Sequence, residues 1–428
     1  MGFPRRAAAT GAGKDQTGTI RCFFITAQFV SIVSASTAFT PQERHATFAL
    51  AGVFFLRMLG LFMLVPVLAL YANQLAGATP FMVGLTLGIY GLTQACLQIP
   101  FGTLSDRIGR KPVIAMGLVI FTVGAAIAAC ANHIVPILIG RAVQGAGAVS
   151  GATLALAADL TRDSQRTKVM AIIGVSIGIA FSVAFVLGPM IDGAVGLHGL
   201  FIASGVAGAL ALPVLFYLVP SPAKRVRRTA PISWAAVSAP ELRVLYVGVL
   251  ALHLVLAASF VAIPLDLKEG LNLPTARHHT VYLPVLLISI VLVLPLIRLS
   301  MRPGWLMRIS RLCIGLLCVA ELLLWLSWHH RVGTYVALTV FFIAFNFLES
   351  SLPSLISRVA PPAHKGTALG AYATCQFLGM FIGGTLGGLI AGRLGFALVP
   401  CVCAGLCLLW LIAALRAPGD ALDTRLQD

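Results

Sequence analysis

Ionisable side chains lie within several of the most apolar stretches of this sequence. Arg57 occurs in FFLRMLGLF, His253 in LALHLVLA and Glu349 in FNFLESSL. An ionised group is costly in an apolar medium, so residues of this kind usually have a function. Buried carboxyl groups and imidazoles can gain and lose a proton near neutral pH. These stretches therefore predict a site that binds a proton and a polar ligand.

The predicted site consists of polar side chains that lie deep within apolar stretches. Glu349 is our first choice for the proton-carrying group and His253 is the second. Gln144 lies one helical turn from Arg141, on a nearby face. The complete set is Arg57, Arg141, Gln144, His253, Asn346 and Glu349.

Structural roles are the alternative for several of these residues. His253 could be a hydrogen-bonded packing residue, and Arg57 could form a structural ion pair or a hydrogen bond between helices. We interpret Glu321, which also lies in an apolar stretch, as structural. Asp192 and Asp266 lie near the ends of apolar stretches, and we expect them to be solvated.

The overall composition indicates that lipid surrounds most of the chain. Of the 428 residues, 59% are hydrophobic and 10% are charged, and the mean hydropathy is +0.95. Soluble domains carry about 25% charged residues. The net charge of +16 does not predict nucleic-acid binding, because the basic residues are dispersed over short loops. The nine cysteines include no CxxC pair, so we predict no metal site.

Apolar runs long enough to cross a bilayer recur twelve times. A spanning helix requires about 20 residues, and the runs lack the alternation of membrane strands. The sequence therefore predicts an all-α membrane protein in which twelve transmembrane helices form two pseudo-symmetric six-helix bundles. The predicted spans, numbered 1 to 12, cover residues 46–72, 82–102, 112–130, 134–160, 168–192, 198–219, 243–266, 280–300, 309–328, 333–357, 366–391 and 394–416.

Lysine and arginine concentrate in the loops that follow the even-numbered spans. We call this side of the membrane the basic side. Since cytoplasmic loops carry such an excess, we expect the basic side and both termini to be cytoplasmic. The loops of the opposite side carry only four basic residues, which are Lys268, Arg277, Arg331 and Arg393.

A polar segment near the middle of the chain divides the spans into two groups of six. A shift of about 197 residues aligns Arg57 with His253 and Pro66 with Pro264, which favours an internal repeat. The predicted divisions are a disordered or interfacial extension at 1–40, an N-terminal bundle at 41–219, a cytoplasmic linker at 220–242, a C-terminal bundle at 243–417 and a cytoplasmic tail at 418–428.

The turn between spans 2 and 3, FGTLSDRIGRKP at 101–112, is unusually rich in charge. Its glycines, Gly102 and Gly109, permit close packing of helices and turn. The carboxylate of Asp106 can cap a helix start or interact with its positive dipole. The basic members of the turn are Arg107, Arg110 and Lys111.

Three motifs in this order resemble signatures of the major facilitator superfamily. GTLSDRIGRK at 102–111 is similar to the turn between helices two and three of that family. RAVQGAG at 141–147 resembles the helix-four signature of proton-coupled members, and GPMIDG at 188–193 resembles the helix-five signature of drug:proton antiporters. The resemblance covers residues 40–417. Some relatives carry a soluble domain after helix twelve, which we do not expect in a chain that ends at Asp428.

The resemblance implies a proton-coupled secondary transporter, and not an enzyme, that works by alternating access. We expect an exporter of small amphipathic solutes or drugs, present as a monomer in the bacterial inner membrane. Its partners are then a small-molecule substrate, the lipid bilayer and protons, without nucleic acid. The proton gradient replaces any cofactor. The alternatives are a non-transporting sensor or assembly protein, and a carrier of sugars or organic anions in either direction.

The resemblance also implies roles for particular residues. The turn is expected to latch the two bundles, with Asp106 facing the start of span 11 near Gly366 and Arg110 paired with Asp159. The alternative is a simple topology anchor. Gly188 and Pro189 are expected to bend span 5, and their alternative is a tolerated membrane proline.

Charge predicts the class of substrate. The helices expected to line the central cavity contribute Arg57 and Arg141, and only Glu349 opposes them. We therefore expect anionic or neutral solutes to be favoured over lipophilic cations. An ATP-driven pump is disfavoured because the sequence has no phosphate-binding GxxxxGK[ST] motif.

Overall fold

The computed structural model describes residues 39–71, 74–221, 238–302, 304–361 and 364–416. The predicted tail, most of the predicted linker and nearly all of the N-terminal extension lie outside the described residues. The helices are Pro41–Phe62 (span 1), Pro80–Ile108 (span 2), Arg110–Ala129 (span 3), Ile134–Ala146 and Ser150–Asp159 (span 4), Arg166–Pro213 (spans 5 and 6), Pro240–Leu265 (span 7), His279–Ser300 (span 8), Trp305–Leu326 (span 9), Arg331–Val359 (span 10), Lys365–Leu394 (span 11) and Leu398–Arg416 (span 12).

The described residues contain twelve membrane crossings. Eleven helical segments are long and apolar enough to span a bilayer, and one of them, Lys168–Leu218, has 51 residues. That is more than twice the about 20 residues that one crossing needs. This segment is interrupted at Gly196, where φ is 68° and ψ is −173°, a conformation open essentially to glycine alone. The predicted all-α membrane fold is thereby confirmed.

Two other spans are less regular than the sequence predicted. Span 1 stops being helical at Phe62, and a short 3-10 turn follows at Leu68–Tyr71. Pro66 lies between them and cannot donate the hydrogen bond that a continuing helix requires. Span 4 is broken between Ala146 and Ser150, although the sequence there reads as one continuous apolar run.

Aromatic rings join the two halves toward the side opposite the basic side. Phe185 of span 5 has its ring centroid 4.8 Å from Phe260 of span 7 and 5.9 Å from Phe342 of span 10. Phe181 stacks on Phe345 with centroids 6.0 Å apart. We call these five residues the aromatic seal. Aromatic pairs in edge and stacked arrangements at such distances are attractive.

Glycines let spans 2 and 11 meet backbone to backbone in the same layer. A Cβ atom at Gly88 would lie 2.6 Å from the carbonyl oxygen of Phe381, and one at Gly384 would lie 2.7 Å from that of Gly84. Only glycine permits so close an approach. Together with the aromatic seal, this contact closes the end of the molecule that faces away from the basic side.

A matched pair of substitutions in span 11 tests this closure. A Cβ at Gly388 would lie 2.5 Å from the carbonyl oxygen of Pro80, whereas one at Gly392, a turn further on, meets nothing nearer than 3.8 Å. Overpacking costs about 1–3 kcal/mol, so Gly388→Ala should shift the equilibrium toward an opened seal by roughly tenfold or more. Both changes raise helix propensity equally, so Gly392→Ala is the control.

Hydrogen–deuterium exchange of the full chain in detergent would measure the effect. We expect faster exchange in peptides that carry the aromatic seal for Gly388→Ala, and wild-type exchange for Gly392→Ala. Equal exchange in the two variants would contradict a closed state that depends on the glycine contact.

Candidate functional site

His253 and Glu349 form a direct contact in the C-terminal half. Nε2 of His253 is 3.2 Å from Oε2 of Glu349. Gln376 of span 11 joins both residues, because its Nε2 is 2.8 Å from His253 Nε2 and 3.1 Å from Glu349 Oε1. Tyr372, one turn from Gln376, donates to Oε1 over 3.4 Å. Side chains of spans 7 and 11 thus converge on the span 10 carboxylate.

The hydrogen bonds of His253 indicate where a proton must lie. Its Nδ1 is 3.0 Å from the backbone carbonyl oxygen of Val249. That oxygen can only accept, so Nδ1 carries a hydrogen. In neutral histidine Nε2 is then an acceptor, and the Gln376 amide N–H donates to it. An ionised Glu349 would place the bare Oε2 atom against this lone pair. A proton on Oε2 would remove the repulsion, whereas a proton on Nε2 would oppose the Gln376 N–H.

The two members of this pair differ in their access to solvent. The side chain of His253 is 4% exposed and that of Glu349 is 33% exposed. The Oε2 atom of Glu349 that faces His253 is nevertheless buried and has no hydrogen-bond partner among the described residues. Asn346, which the sequence grouped with Glu349, instead donates to Ser289 of span 8 over 3.2 Å.

Arg57 is the centre of a buried polar network in the N-terminal half. Its guanidinium donates to Gln94 Oε1 at 2.7 Å, to the Tyr90 hydroxyl at 2.9 Å, to the Gly147 carbonyl at 3.1 Å and to Ser150 Oγ at 3.2 Å. Gly147 and Ser150 are the residues at the break in span 4. The arginine therefore holds the broken helix to spans 1 and 2, and only 1% of it is exposed.

Arg141 lies on the other side of Tyr90 and is equally buried. Its guanidinium carbon is 4.8 Å from the Tyr90 ring centroid, and it donates to Gln144 Oε1 at 3.0 Å. Gln144 in turn donates to Ser204 of span 6 over 3.3 Å. Neither Arg57 nor Arg141 pairs with a carboxylate of the described part of the chain. Both positive charges are balanced by neutral oxygens and by an aromatic face.

Tyr90 also connects the arginines to the opposite half. Its ring centroid is 6.2 Å from that of Phe377, which directly follows Gln376 in span 11. The arginine network and the contact between His253 and Glu349 thus lie on the two sides of one interface between the halves.

The turn after span 2 contains a chain of ion pairs. Arg110 contacts Asp106 at 2.5 Å and Asp159, the last helical residue of span 4, at 3.2 Å. It also donates to Ser105 Oγ at 2.6 Å. Gly109 separates spans 2 and 3 with φ 109° and ψ 153°, which only glycine adopts without strain.

The remaining turn residues have varied surroundings. A Cβ at Gly102 would meet nothing within 4 Å, so the close packing expected there is absent. Arg107 is exposed, and the Lys111 ammonium donates to the carbonyl of Val219 at the end of span 6. Asp106 pairs with Arg110 of its own bundle. The surroundings of Gly366, its expected neighbour, lie outside what the structure describes.

Span 5 stays helical through the pair that was expected to bend it. Within Arg166–Pro213 the non-helical backbone angles occur at Gly196 and not at Gly188 or Pro189. Gly188 instead permits a close approach, since its Cβ would lie 2.5 Å from the carbonyl oxygen of Met63. The interruption lies instead in the predicted connection between spans 5 and 6, residues 193–197, and the bend expected at Gly188 and Pro189 stays a prediction.

Two carboxylates near the opposite side are buried, which corrects the expectation that they are solvated. Asp192 accepts a 2.6 Å hydrogen bond from Tyr71, and burial raises the pKa of that tyrosine so that it stays a donor. Asp266 accepts from the backbone of His329 at 2.9 Å and from Thr334 at 3.2 Å. Asp192 is covered by the short 3-10 turn that carries Tyr71, and Asp266 is covered by the segment after span 9 that carries His329. The polarity of the neighbouring sequence does not predict this burial.

Several residues of the site were missed by sequence reasoning. Tyr372 and Gln376 are uncharged and lie in a run that reads as a small-residue packing helix. Tyr90, Gln94 and Gln98 follow one another at intervals of four residues, and Gln94 donates to Gln98 over 3.2 Å. This spacing, which places three polar groups on one face of an apolar helix, was a usable signal.

The fold agrees with comparisons to known proteins. The profile of the Major Facilitator Superfamily matches residues 50–384. The chain therefore belongs to this superfamily and is a multi-pass membrane transporter, a class that is not enzymatic.

The chain is similar to individual transport proteins and to solved transporter structures. The inner membrane transport protein YajR of Escherichia coli strain K12 is 45% identical over 380 residues, which cover 88% of this chain and 84% of that protein. The quinolone resistance protein NorA of Staphylococcus aureus strain Mu50 is 30% identical over 175 residues, 40% of this chain and 44% of that protein. The solved human organic anion transporter MFSD10 has a TM-score of 0.67 at 17% identity, over 88% of this chain and 100% of that one, a likeness of fold.

Replacing Arg57 by lysine tests the buried network. A single ammonium cannot reach four acceptors on two other spans, and each buried polar group left without a partner costs about 1–3 kcal/mol. We expect a clearly lower melting temperature in detergent for Arg57→Lys. Arg331→Lys, at an exposed position, is the control and should melt like the wild type. Equal melting of the two variants would show that the network does not hold span 4.

Proposed function

We propose that this protein is a proton-coupled secondary transporter that exports small amphipathic solutes, anionic or neutral, across the bacterial inner membrane. In this proposal both termini are cytoplasmic and the protein acts as a monomer. The observation that carries the proposal is the contact between His253 and Glu349, which is satisfied when it holds one proton. The Glu349 side chain is 33% exposed, so a small movement of its buried Oε2 atom would bring the proton to water.

Proton coupling requires that the proton site and the conformation influence each other. Glu349 contacts span 7 through His253 and span 11 through Tyr372 and Gln376. Span 11 is also the helix whose glycines pack against span 2. Loss of the proton would leave two facing acceptors, and their repulsion would favour separation of spans 7, 10 and 11. The protonation state therefore acts on the helix that closes the opposite side.

The turn around Asp106 is proposed to act as a latch between the bundles in the alternative conformation. In the present conformation its charges are satisfied within the N-terminal half, through Arg110 and Asp159. Asp106 is still 39% exposed on its side chain and remains available to a partner. Closure on the basic side would bring span 11 to this carboxylate.

The substrate class follows from charge. Arg57 and Arg141 keep their charge without a paired carboxylate, so an anionic solute would gain from their field and a lipophilic cation would not. The relative named a quinolone resistance protein supports an exporter, and the relative named an inner membrane transport protein supports the location.

Glutamine substitution at Glu349 tests proton coupling and substrate class together. Proteoliposomes with an imposed pH gradient would be loaded with carboxyfluorescein, an anion, or with ethidium, a cation. We expect gradient-driven movement of the anion by the wild type and at least a tenfold loss in Glu349→Gln, because the amide cannot exchange a proton. Glu269→Gln, at an exposed loop position, is the control.

Two results would contradict this scheme in different ways. Equal gradient-driven flux in the wild type and Glu349→Gln would remove proton coupling through this site. Faster movement of ethidium than of carboxyfluorescein would reverse the proposed substrate class. A protein that moves neither dye would favour the sensor or assembly alternative.

Substitution within the turn separates a latch from a topology anchor. Asp106→Asn removes the carboxylate that meets Arg110, whereas Arg107→Gln removes a charge that has no partner among the described residues. We expect carboxyfluorescein transport to fall several-fold in Asp106→Asn and to be unchanged in Arg107→Gln. Wild-type transport in Asp106→Asn, with an unchanged hydrogen-exchange pattern at the aromatic seal, would leave only the anchoring role.

A further inference from the structure

A groove opens on the outer surface of the helix bundle at its basic side, between the start of span 1 and the end of span 6. Its volume is about 640 Å³, and it lies away from the interface between the two halves. The lining residues come from the first three turns of span 1 and from the turn that ends span 6. They are Pro41, Arg44, His45, Phe48, Ala49, Gly52, Val214 and Leu218.

The groove exists because span 1 lacks a side chain at one position and the end of span 6 departs from regular α-helix. Gly52 supplies no side chain, and a Cβ there would meet only Val214, at 3.8 Å. Span 6 ends in a widened π-helical turn, Val214–Leu218, which directly follows Pro213. Phe48, 60% exposed, forms the rim. The floor is therefore apolar, and it faces the region that lipid chains occupy in a bilayer.

The end of the groove on the basic side carries net positive charge. Glu43, the acid of this segment, is fully engaged, since Arg162 donates to its two oxygens at 2.9 Å each. These hydrogen bonds also raise the pKa of Arg162. Arg44 and His45 are exposed, and the Arg44 guanidinium makes no hydrogen bond or ion pair with any residue that the structure describes.

A second cation lies beside the end of span 6. Lys111 donates to the carbonyl of Val219, the residue that follows the π-helical turn. The first turn of span 1 is also a helix N-terminus, where the helix dipole adds positive potential. An apolar floor with cations at one end matches the two parts of a lipid, an acyl chain and a charged head group.

From this combination we infer that the groove binds one anionic phospholipid of the leaflet on the basic side. The phosphate diester would lie against Arg44, with His45 and Lys111 nearby, and an acyl chain would run along Ala49, Gly52 and Val214. A neutral lipid would use only the floor, and a soluble phosphate would use only the charges. The inference is independent of the transported substrate.

Lipid titration of the purified full chain in detergent tests the site. The melting temperature would be followed with dioleoyl phosphatidylglycerol, dioleoyl phosphatidylcholine and sn-glycerol 1-phosphate. We expect the wild type to be stabilised by the anionic lipid at a concentration at least tenfold below that of the neutral lipid, and not by glycerol phosphate. Arg44→Gln should remove this difference, because it removes the only unpartnered guanidinium of the groove.

A second variant fills the floor without changing charge. Gly52→Leu would occupy the path of the acyl chain and should also abolish the preference. Arg358→Gln, an exposed arginine of the basic side, and Gly405→Leu, an exposed glycine with nothing within 4 Å of its Cβ, are the matched controls and should behave like the wild type.

Three outcomes would overturn the inference. Retention of the preference in both Arg44→Gln and Gly52→Leu would place anionic-lipid binding elsewhere or assign the groove another occupant. Equal stabilisation by the anionic and neutral lipids would leave only an apolar surface. Stabilisation by glycerol phosphate alone would indicate a site for a free phosphate group.

Discussion

The cost of placing charge in a bilayer governs the interior of this transporter. An ionised side chain that leaves water must recover its solvation from protein groups, or it must become neutral. Arg57 and Arg141 cannot lose their charge, since guanidinium groups stay protonated. Tyr90, Gln94, Gln144, Ser150 and the broken backbone of span 4 provide the oxygens and the aromatic face that replace water. The break in span 4 also helps to replace water around Arg57, because the Gly147 carbonyl of a regular helix would bond within the helix and not to Arg57.

The two halves place different polar groups in the bilayer interior. The internal repeat places His253 at the position that corresponds to Arg57, and each residue is the centre of its own polar group. The N-terminal group is permanently charged and made of groups that do not titrate near neutral pH, so it holds one arrangement. The C-terminal group joins an imidazole and a carboxyl group in direct contact, and Gln376 contacts both. The proposed proton coupling would rest on this difference between the two halves.

Sequence patterns predicted the fold well and the site in part. Length and apolarity specify membrane helices because backbone groups in lipid must be satisfied within the helix, and the cost of buried charge marked Arg57, Arg141, His253 and Glu349. The partners were harder to predict. Gln376 and Tyr372 are neutral, and their importance comes from the approach of span 11, which no local pattern encodes. The interruption at Gly196 falls in the predicted connection between spans 5 and 6, but its form was not predicted, since one glycine with positive φ replaces a whole loop. Asp192 and Asp266 were misjudged because burial near a helix end depends on which segment folds over it.

The two ends of the interface between the halves rely on forces of different range. The end away from the basic side is held by glycine contacts and aromatic rings, and a gap of about 1 Å already removes up to about half of such dispersion energy. The turn on the basic side carries charges, which act over roughly 8–10 Å at physiological salt. The glycine and aromatic contacts act only at short range, so the end that they close is either packed or open. The longer-range attraction between charges can then draw the basic side together once those contacts break. Gln376 and the packing glycines share span 11. In the proposed mechanism a proton on Glu349 would therefore act on the short-range end, where a small displacement has the largest effect on the equilibrium.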